Sequence, residues 1–185
     1  MAFRSAKKSA EPLDERALHE YAVKALGRRM RTVSELTRLM RAKVEREPSG
    51  QAKIEKVLAR LKEYGYLNDA DYASTYTKLR QENASMGKRR VQQDLAVKGV
   101  QAELIKETLE AAYQDVNEEA LARRHLQRKG VKQPTNEKEA ARVMRMLMRA
   151  GFSTGVIFRI LKSWNVPDEA LAVLESAEEP HEPGE

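Results

Sequence analysis

Nine stretches of this chain carry apolar residues at the spacing of an α-helix, and this periodicity limits the fold more than any other feature. In the first stretch, Leu18, Tyr21, Ala22 and Ala25 are three or four residues apart, which places them on one helical face. No stretch shows the convincing period of two that marks a half-buried β-strand. None of the six prolines interrupts a stripe, and a proline inside a helix would break it. The sequence therefore predicts an all-α protein.

Two segments, 95–109 and 147–161, share one pattern: Leu, three residues, Gly, an apolar residue, and an apolar pair five and six residues after the Gly. Their glycines, Gly99 and Gly151, are 52 residues apart. Glycine enters the left-handed region without steric cost, so we expect each of them to end a helix and let the chain turn back. The shared pattern predicts tandem repeats, each a three-helix bundle of about 50 residues.

A degenerate copy of the pattern covers residues 40–61, with Val44 in the place of the glycine and an insertion at 45–50. A unit of this size buries little apolar surface, so neighbouring units are expected to pack against each other. The predicted organisation is a disordered arm (1–12), repeat 1 (13–67), repeat 2 (68–114), repeat 3 (115–166) and an acidic, largely disordered tail (167–185).

The segment EYGYLNDADYA at 63–73 predicts a corner between the first two repeats. Gly65 is expected to close one helix, and Asn68 or Asp69 to cap the next by accepting from its free N–H groups. We interpret the apolar and aromatic side chains here as packing at a partly exposed joint, where a tyrosine hydroxyl can stay in water, and keep stacking on nucleic-acid bases as the alternative. These side chains are Tyr64, Tyr66, Leu67 and Tyr72.

The charge is unevenly distributed along the chain. The net charge is +6, but residues 175–185 hold five Glu and no Lys or Arg, so the remainder carries +11. Such a basic body favours a polyanionic partner or one with acidic patches, although solubility alone would also explain it.

The absence of cysteine excludes disulfides, thiolate metal sites and cysteine catalysis, and it fits a cytosolic protein. The sequence contains no run of 18 apolar residues, so it predicts no membrane span.

The sharpest cluster of cations is Lys88-Arg89-Arg90, which is predicted to open a helix. Cations at a helix N-terminus oppose the helix dipole, so binding is one explanation of the cluster and a solvated basic turn is the other. Arg142, Arg145 and Arg149 share one face of the eighth predicted helix. The other candidate binding residues are Arg28, Arg29, Arg31, Arg38, Arg123 and Arg124.

The sequence contains no pattern that indicates catalysis. The three histidines are scattered, and there is no HxxxH pair, carboxylate dyad or nucleophile motif. His125 lies on an apolar stripe, which favours a packed or boundary residue over a metal ligand. We therefore expect neither a catalytic site, nor a metal, nor a cofactor.

A set of motifs is dense over residues 60–110. It consists of Tyr64-Gly65-Tyr66-Leu67-Asn68-Asp69, Tyr72-Ala73, Arg80, Gly87, Arg90-Val91, Asp94-Leu95 and Lys98-Gly99. Together these motifs resemble the RecX family. The resemblance implies three tandem three-helix repeats in an elongated, curved molecule. It also implies a regulator of the RecA recombinase in homologous recombination, DNA repair and the SOS response. Such a protein binds the RecA–single-stranded DNA filament and inhibits its ATPase, strand-exchange and co-protease activities.

The chain departs from the family pattern at two places, the insertion that contains Pro48 and the acidic C-terminal tail. Under this reading we expect a cytoplasmic monomer with weak direct DNA binding. Two other readings stay open. One is a direct DNA-binding protein whose three-helix units act as helix-turn-helix-like modules, and the other is a scaffold with neither activity.

Overall fold

The computed structural model describes residues 11–167, and within this range the chain forms nine α-helices and no β-strand. The all-α prediction is therefore confirmed. The predicted tail from residue 168 onward and most of the predicted arm lie outside the described residues. The helices are α1 (Glu15–Arg28), α2 (Val33–Arg41), α3 (Pro48–Glu63), α4 (Asp69–Ala84), α5 (Lys88–Val97), α6 (Ala102–Tyr113), α7 (Glu118–Arg128), α8 (Glu137–Arg149) and α9 (Thr154–Ser163).

Side-chain caps explain where several helices begin. Thr32 and Glu35 form the capping box of α2: the Glu35 N–H donates to Thr32 Oγ1 at 3.0 Å, and the Thr32 N–H donates to Glu35 Oε2 at 3.4 Å. Asp14, Asn117 and Asn136 each accept from the N–H three residues further on, at the starts of α1, α7 and α8. These bonds satisfy N–H groups that have no partner inside the helix.

The three glycines that the sequence predicts to end helices are in the left-handed region, and Gly130 after α7 is a fourth. The φ angles are +71° at Gly65, +76° at Gly99 and +89° at Gly151. At the end of α3 the Tyr66 N–H donates to the carbonyl of Leu61 at 2.9 Å, which holds the turn in a fixed shape.

The insertion at 45–50 is not an extra loop throughout, because α3 begins at Pro48. Pro48 stands in the first turn, where a missing N–H is harmless and the fixed φ suits the helix. Gly50 is buried in this first turn, where a β-carbon would lie 2.1 Å from the carbonyl oxygen of Glu45. The second half of the insertion is therefore part of the helix.

The described residues divide into two compact units. The first comprises residues 11–73 and 96–104, and the second comprises residues 74–95 and 105–167. In the first unit α1, α2 and α3 pack on one another around a core that contains Leu18, Leu36 and Leu61.

In the second unit α9 packs on both α7 and α8, around a core that contains Leu147 and Phe152. Three helices fall within each predicted repeat, but the boundaries 13–67, 68–114 and 115–166 stay a prediction.

Candidate functional site

The corner after α3 differs from the sequence prediction in how Asp69 is used. Asn68 caps α4, since its Oδ1 accepts from the N–H groups of Ala70 at 2.9 Å and Asp71 at 3.3 Å. Asp69 instead accepts at 2.8 Å from the N–H of Val33, the first residue of α2. Burial raises the pKa of the Asp69 carboxyl, and the hydrogen bond from Val33 opposes that rise. The two adjacent residues Asn68 and Asp69 therefore accept hydrogen bonds at the starts of two helices, α4 and α2.

The four side chains of the predicted joint fall into two classes. Leu67 is 3% exposed and Tyr72 is 7% exposed, so both belong to the core, as expected. Tyr64 is 59% exposed and Tyr66 is 65% exposed, so neither is a core side chain, and their role at the joint stays a prediction. The reason is local: Tyr64 is the C-cap of α3 and Tyr66 follows the left-handed Gly65, so both lie on the turn instead of a packed helix face.

The first unit contains a close contact between the start of α2 and the Lys98-Gly99 turn. Thr32 Oγ1 donates to the Lys98 carbonyl at 2.6 Å, and Lys98 Nζ lies 3.3 Å from Glu35 Oε1. A β-carbon on Gly99 would lie 2.4 Å from Ser34 Cβ, which is closer than atoms can pack. Gly99 is therefore required both by its φ and by the approach of α2.

The second unit repeats this contact one repeat later. The Gly87 N–H donates to the Ala150 carbonyl at 2.8 Å, and the Arg89 N–H donates to the Gly151 carbonyl at 3.3 Å. A β-carbon on Gly151 would lie 2.2 Å from the backbone nitrogen of Arg90. In both units the residue just before the glycine accepts a hydrogen bond from the residue just before a helix, Thr32 before α2 and Gly87 before α5.

We call these two contacts the glycine joints, defined by Thr32, Ser34, Lys98 and Gly99 in the first unit and by Gly87, Arg89, Arg90, Ala150 and Gly151 in the second. Sequence reasoning found the glycines but not the helix starts that face them. The sequence signal for the joints was that Gly99 and Gly151 occupy the same position in the pattern shared by residues 95–109 and 147–161.

The Lys88-Arg89-Arg90 cluster opens α5 as predicted, but its three side chains have different surroundings. Arg90 Nε pairs with Asp94 Oδ1 at 3.0 Å, and Asp94 Oδ2 also accepts from the Tyr76 hydroxyl at 2.8 Å. Lys88 is half-buried and lines an open cavity of about 590 Å³ beside Glu110 and Glu118. Arg89 is exposed. The hypothesis that the cluster binds a partner therefore applies most directly to Arg89.

The three arginines of α8 form an exposed basic face. Arg142, Arg145 and Arg149 are all exposed, and none makes an ion pair with a described residue. Arg142 also lines a groove of about 270 Å³ together with Lys129 and Lys132. We call Arg142, Arg145 and Arg149 the α8 basic face.

One carboxylate, Glu139, lines the same groove, and it is already engaged. It accepts from the Thr135 N–H at 2.8 Å and from Thr135 Oγ1 at 3.0 Å, and these bonds hold its pKa below the ordinary value. The groove therefore presents three cations and one anion, and one oxygen of that anion is bound locally, which suits an anionic partner.

The remaining predicted basic residues are dispersed. Arg29 lies 3.8 Å from Glu35, Arg31 donates through Nε to the Ala25 carbonyl at 3.2 Å, and Arg123 lies 2.8 Å from Glu119. The Arg123 guanidinium lowers the pKa of Glu119. Three others are exposed to solvent: Arg28, Arg38 and Arg124.

A cap at the end of α4 was missed by sequence reasoning. His125 is buried, and its Nδ1 lies 3.1 Å from the Ala84 carbonyl, so this nitrogen carries the proton, because the carbonyl can only accept. Arg128 donates to the Glu82 carbonyl at 3.3 Å. Groups that carry an N–H or a positive charge satisfy the free carbonyls at a helix C-terminus. The prediction that His125 is a packed residue is correct, and its spacing on the α7 stripe was the signal.

Residues 11–167 contain neither a metal-binding cluster nor a membrane-spanning helix. No three His, Cys, Asp or Glu side chains are placed to hold a metal ion there. In the same range, every helix is too short or too polar to cross a membrane.

Comparison with known sequences identifies related proteins. The family model described as RecX, second three-helix domain, matches residues 68–109, and the one described as RecX, third three-helix domain, matches residues 117–161. Regulatory protein RecX of Deinococcus radiodurans is 43% identical over 95 residues, which cover 51% of this chain and 43% of that protein. This chain thus spans less than half of the Deinococcus relative.

Regulatory protein RecX of Leptothrix cholodnii is 33% identical over 141 residues, which cover 76% of this chain and 85% of that protein. A crystal structure of regulatory protein RecX superposes with a TM-score of 0.64 at 22% identity, covering 80% of this chain and 71% of that one. The structural likeness supports the fold of tandem three-helix bundles. Given the domain matches and the coverage of the Leptothrix relative, this chain belongs to the RecX family of regulatory proteins.

Proposed function

We propose that this chain is a negative regulator of the RecA recombinase that binds the RecA–single-stranded DNA filament and inhibits its ATPase, strand-exchange and co-protease activities. The main support is the alignment with a named regulatory protein across 85% of that protein's length. The same proposal makes the chain a cytoplasmic monomer without catalytic activity of its own, with roles in homologous recombination, DNA repair and the SOS response.

The surface chemistry fits a polyanionic filament. The α8 basic face is exposed and has no ion-pair partner among residues 11–167, and Arg89 adds an exposed cation at the start of α5. Arginine can bind a carboxylate or a phosphate through two parallel hydrogen bonds, so these residues suit acidic protein surface and DNA backbone alike. A chain of repeated units can also contact several subunits of a filament, which raises the overall affinity.

The glycine joints give this proposal a mechanical basis. Each joint combines a backbone or hydroxyl hydrogen bond with a contact too close for any side chain at the glycine. Such contacts hold the start of one helix at a defined place against the end of another. Pre-organised contact surfaces lose less conformational entropy on binding than flexible ones.

The test is single-stranded-DNA-dependent ATP hydrolysis by RecA, measured while this chain is titrated, at two salt concentrations and with or without excess DNA. We expect inhibition at less than one chain per RecA subunit, and we expect excess DNA not to relieve it. Inhibition that disappears with excess DNA would contradict the proposal, because it would show simple competition for DNA.

Direct DNA binding is the second candidate, and the groove beside α8 favours it. Lys129, Lys132 and Arg142 line this groove, and charge alone gives salt-dependent affinity for a nucleic-acid backbone. Under this candidate the same ATPase assay shows relief by excess DNA, and affinity for DNA without RecA falls steeply with added salt.

A further inference from the structure

Three large apolar side chains are exposed around the corner after α3. Tyr64, Tyr66 and Met30 are 59%, 65% and 49% exposed. The two tyrosine rings meet edge to face, with centroids 6.3 Å apart and planes at 69°. This pairing leaves ring surface open to solvent. Exposed aromatic rings held in a fixed pair are typical of a contact site.

The backbone beneath the rings is rigidly bonded. The Tyr64 N–H donates to the Arg60 carbonyl at 3.1 Å, and the Tyr66 N–H donates to the Leu61 carbonyl at 2.9 Å. Leu67, the next residue, is buried in the core of the first unit. The backbone of both tyrosines is therefore fixed before binding, so a ligand that bound them would cost little backbone conformational entropy.

A basic loop lies against this corner. Tyr66 and Gly65 line a hollow of about 140 Å³ together with Met30 and Arg31 from the loop between α1 and α2. That loop and the end of α1 carry Arg28, Arg29 and Arg31 within four residues and no acidic residue. The acidic residue of the hollow, Asp71, accepts from the Asn68 amide at 2.8 Å. The exposed Tyr66 ring thus lies beside Arg31, and Arg28 and Arg29 precede Arg31 by two or three residues in the chain.

We propose that Tyr64 and Tyr66 form a stacking platform for the bases of a single-stranded nucleic acid, with Arg28 and Arg31 contacting its phosphates. We call this surface the tyrosine corner. Aromatic faces beside cations are the chemistry by which proteins bind single strands without reading sequence. In a duplex the base faces are covered by stacking, so the corner selects unpaired strands. The inference concerns the isolated chain and does not depend on the proposed role at RecA.

The test compares two strands that carry the same charge. Binding of the full chain is measured by fluorescence anisotropy with dye-labelled oligothymidylate, with an abasic oligonucleotide of equal length, and with a duplex. Stacking requires bases and charge does not, so we expect oligothymidylate to bind at least about tenfold more tightly than the abasic strand. Equal affinity for the two strands would overturn the proposal, because charge alone would then account for binding.

Variants locate the effect. Tyr64→Ala with Tyr66→Ala is expected to weaken oligothymidylate binding by about tenfold or more and to leave abasic binding unchanged. Tyr64→Phe with Tyr66→Phe keeps both ring faces and should retain the affinity. Leu79→Ala, which removes an exposed apolar side chain in α4, is the matched control and should have no effect.

Two results of the variant series would overturn the proposal. The first is unchanged oligothymidylate affinity of the double alanine variant when its circular dichroism spectrum and melting temperature match those of the parent chain. The second is a loss of binding to DNA-free RecA by that variant with normal oligothymidylate affinity, which would make the corner a protein-docking surface. If the double alanine variant folds poorly, equal affinity of the unmodified chain for oligothymidylate and for the abasic strand still overturns the proposal.

Discussion

At the scale of single residues, two kinds of glycine support this fold. Gly65 and Gly151 both have a positive φ, but a β-carbon on Gly65 would have no other atom within 4 Å, whereas one on Gly151 would overlap the backbone of Arg90. The first glycine is needed for its backbone conformation alone. The second is needed also because another helix begins against it.

We predict that Gly151→Ala destabilises the protein much more than Gly65→Ala. The left-handed conformation costs a residue with a β-carbon about 1–2 kcal/mol, which is the whole expected effect at Gly65. At Gly151 the backbone of α5 must also shift, so we expect a total loss of about 3 kcal/mol or more. Urea denaturation followed by circular dichroism measures both values. Equal losses would show that the second glycine joint does not need the close approach.

At the scale of secondary-structure elements, the helix starts do more than begin helices. Thr32 is fully buried, closes the capping box of α2, and donates to the carbonyl of Lys98, the residue that follows α5. Asp69 binds the neighbouring N–H of Val33 from another direction. The start of α2 is therefore both a local cap and a contact with residues distant along the chain, Lys98 and Asp69.

We predict that Thr32→Val lowers the free energy of unfolding by about 2–3 kcal/mol. The substitution keeps the shape, removes the cap and leaves the Lys98 carbonyl without its donor, and each loss contributes roughly 1–1.5 kcal/mol. Asn136→Ala is the matched control, since it removes only an exposed cap and should cost about 1 kcal/mol. The measurement is again urea denaturation. A cost at Thr32 no larger than at Asn136 would mean that the bond to Lys98 adds nothing.

At the scale of the whole molecule, positive charge is the surface property of the two units that can attract a partner. Much of it is used internally: Arg90, Arg123 and Lys53 all lie within 3.0 Å of a carboxylate oxygen. The α8 basic face lies apart from these pairs, and exposed cations without a partner contribute little to stability. It is therefore the part of the second unit in which charge can be removed with the least effect on folding.

We predict that Arg142→Gln, Arg145→Gln and Arg149→Gln together weaken inhibition of the RecA ATPase by about tenfold while the melting temperature changes little. If the face contacts DNA phosphates, the slope of log affinity against log salt should fall by roughly 2, from about 0.7 per contact on a single strand. The matched control removes three exposed cations elsewhere, through Arg60→Gln, Lys78→Gln and Lys106→Gln. An equal effect of both triple variants would mean that net charge, and not the α8 basic face, governs binding.

The sequence alone determined the features that depend on neighbours within a few residues. The helix periodicity and the positive φ of Gly65, Gly99 and Gly151 follow from local sterics and local hydrogen bonds. The repeated pattern around Gly99 and Gly151 likewise predicted the tandem organisation, and the corner motifs identified the family. Interactions of this range are encoded in consecutive residues, so a single sequence suffices to find them.

Only the tertiary structure decided which distant groups meet and which stay in solvent. Thr32 and Lys98 are 66 residues apart, and Val33 and Asp69 are 36 residues apart, so no local sequence pattern predicts either hydrogen bond. The exposure of Tyr64 and Tyr66 depends on what packs beside the turn, since aromatic character favours burial and an exposed contact equally. Such contacts cannot be predicted from neighbouring residues, because the partners are far apart in the chain and the tertiary arrangement of the backbone determines which of them meet.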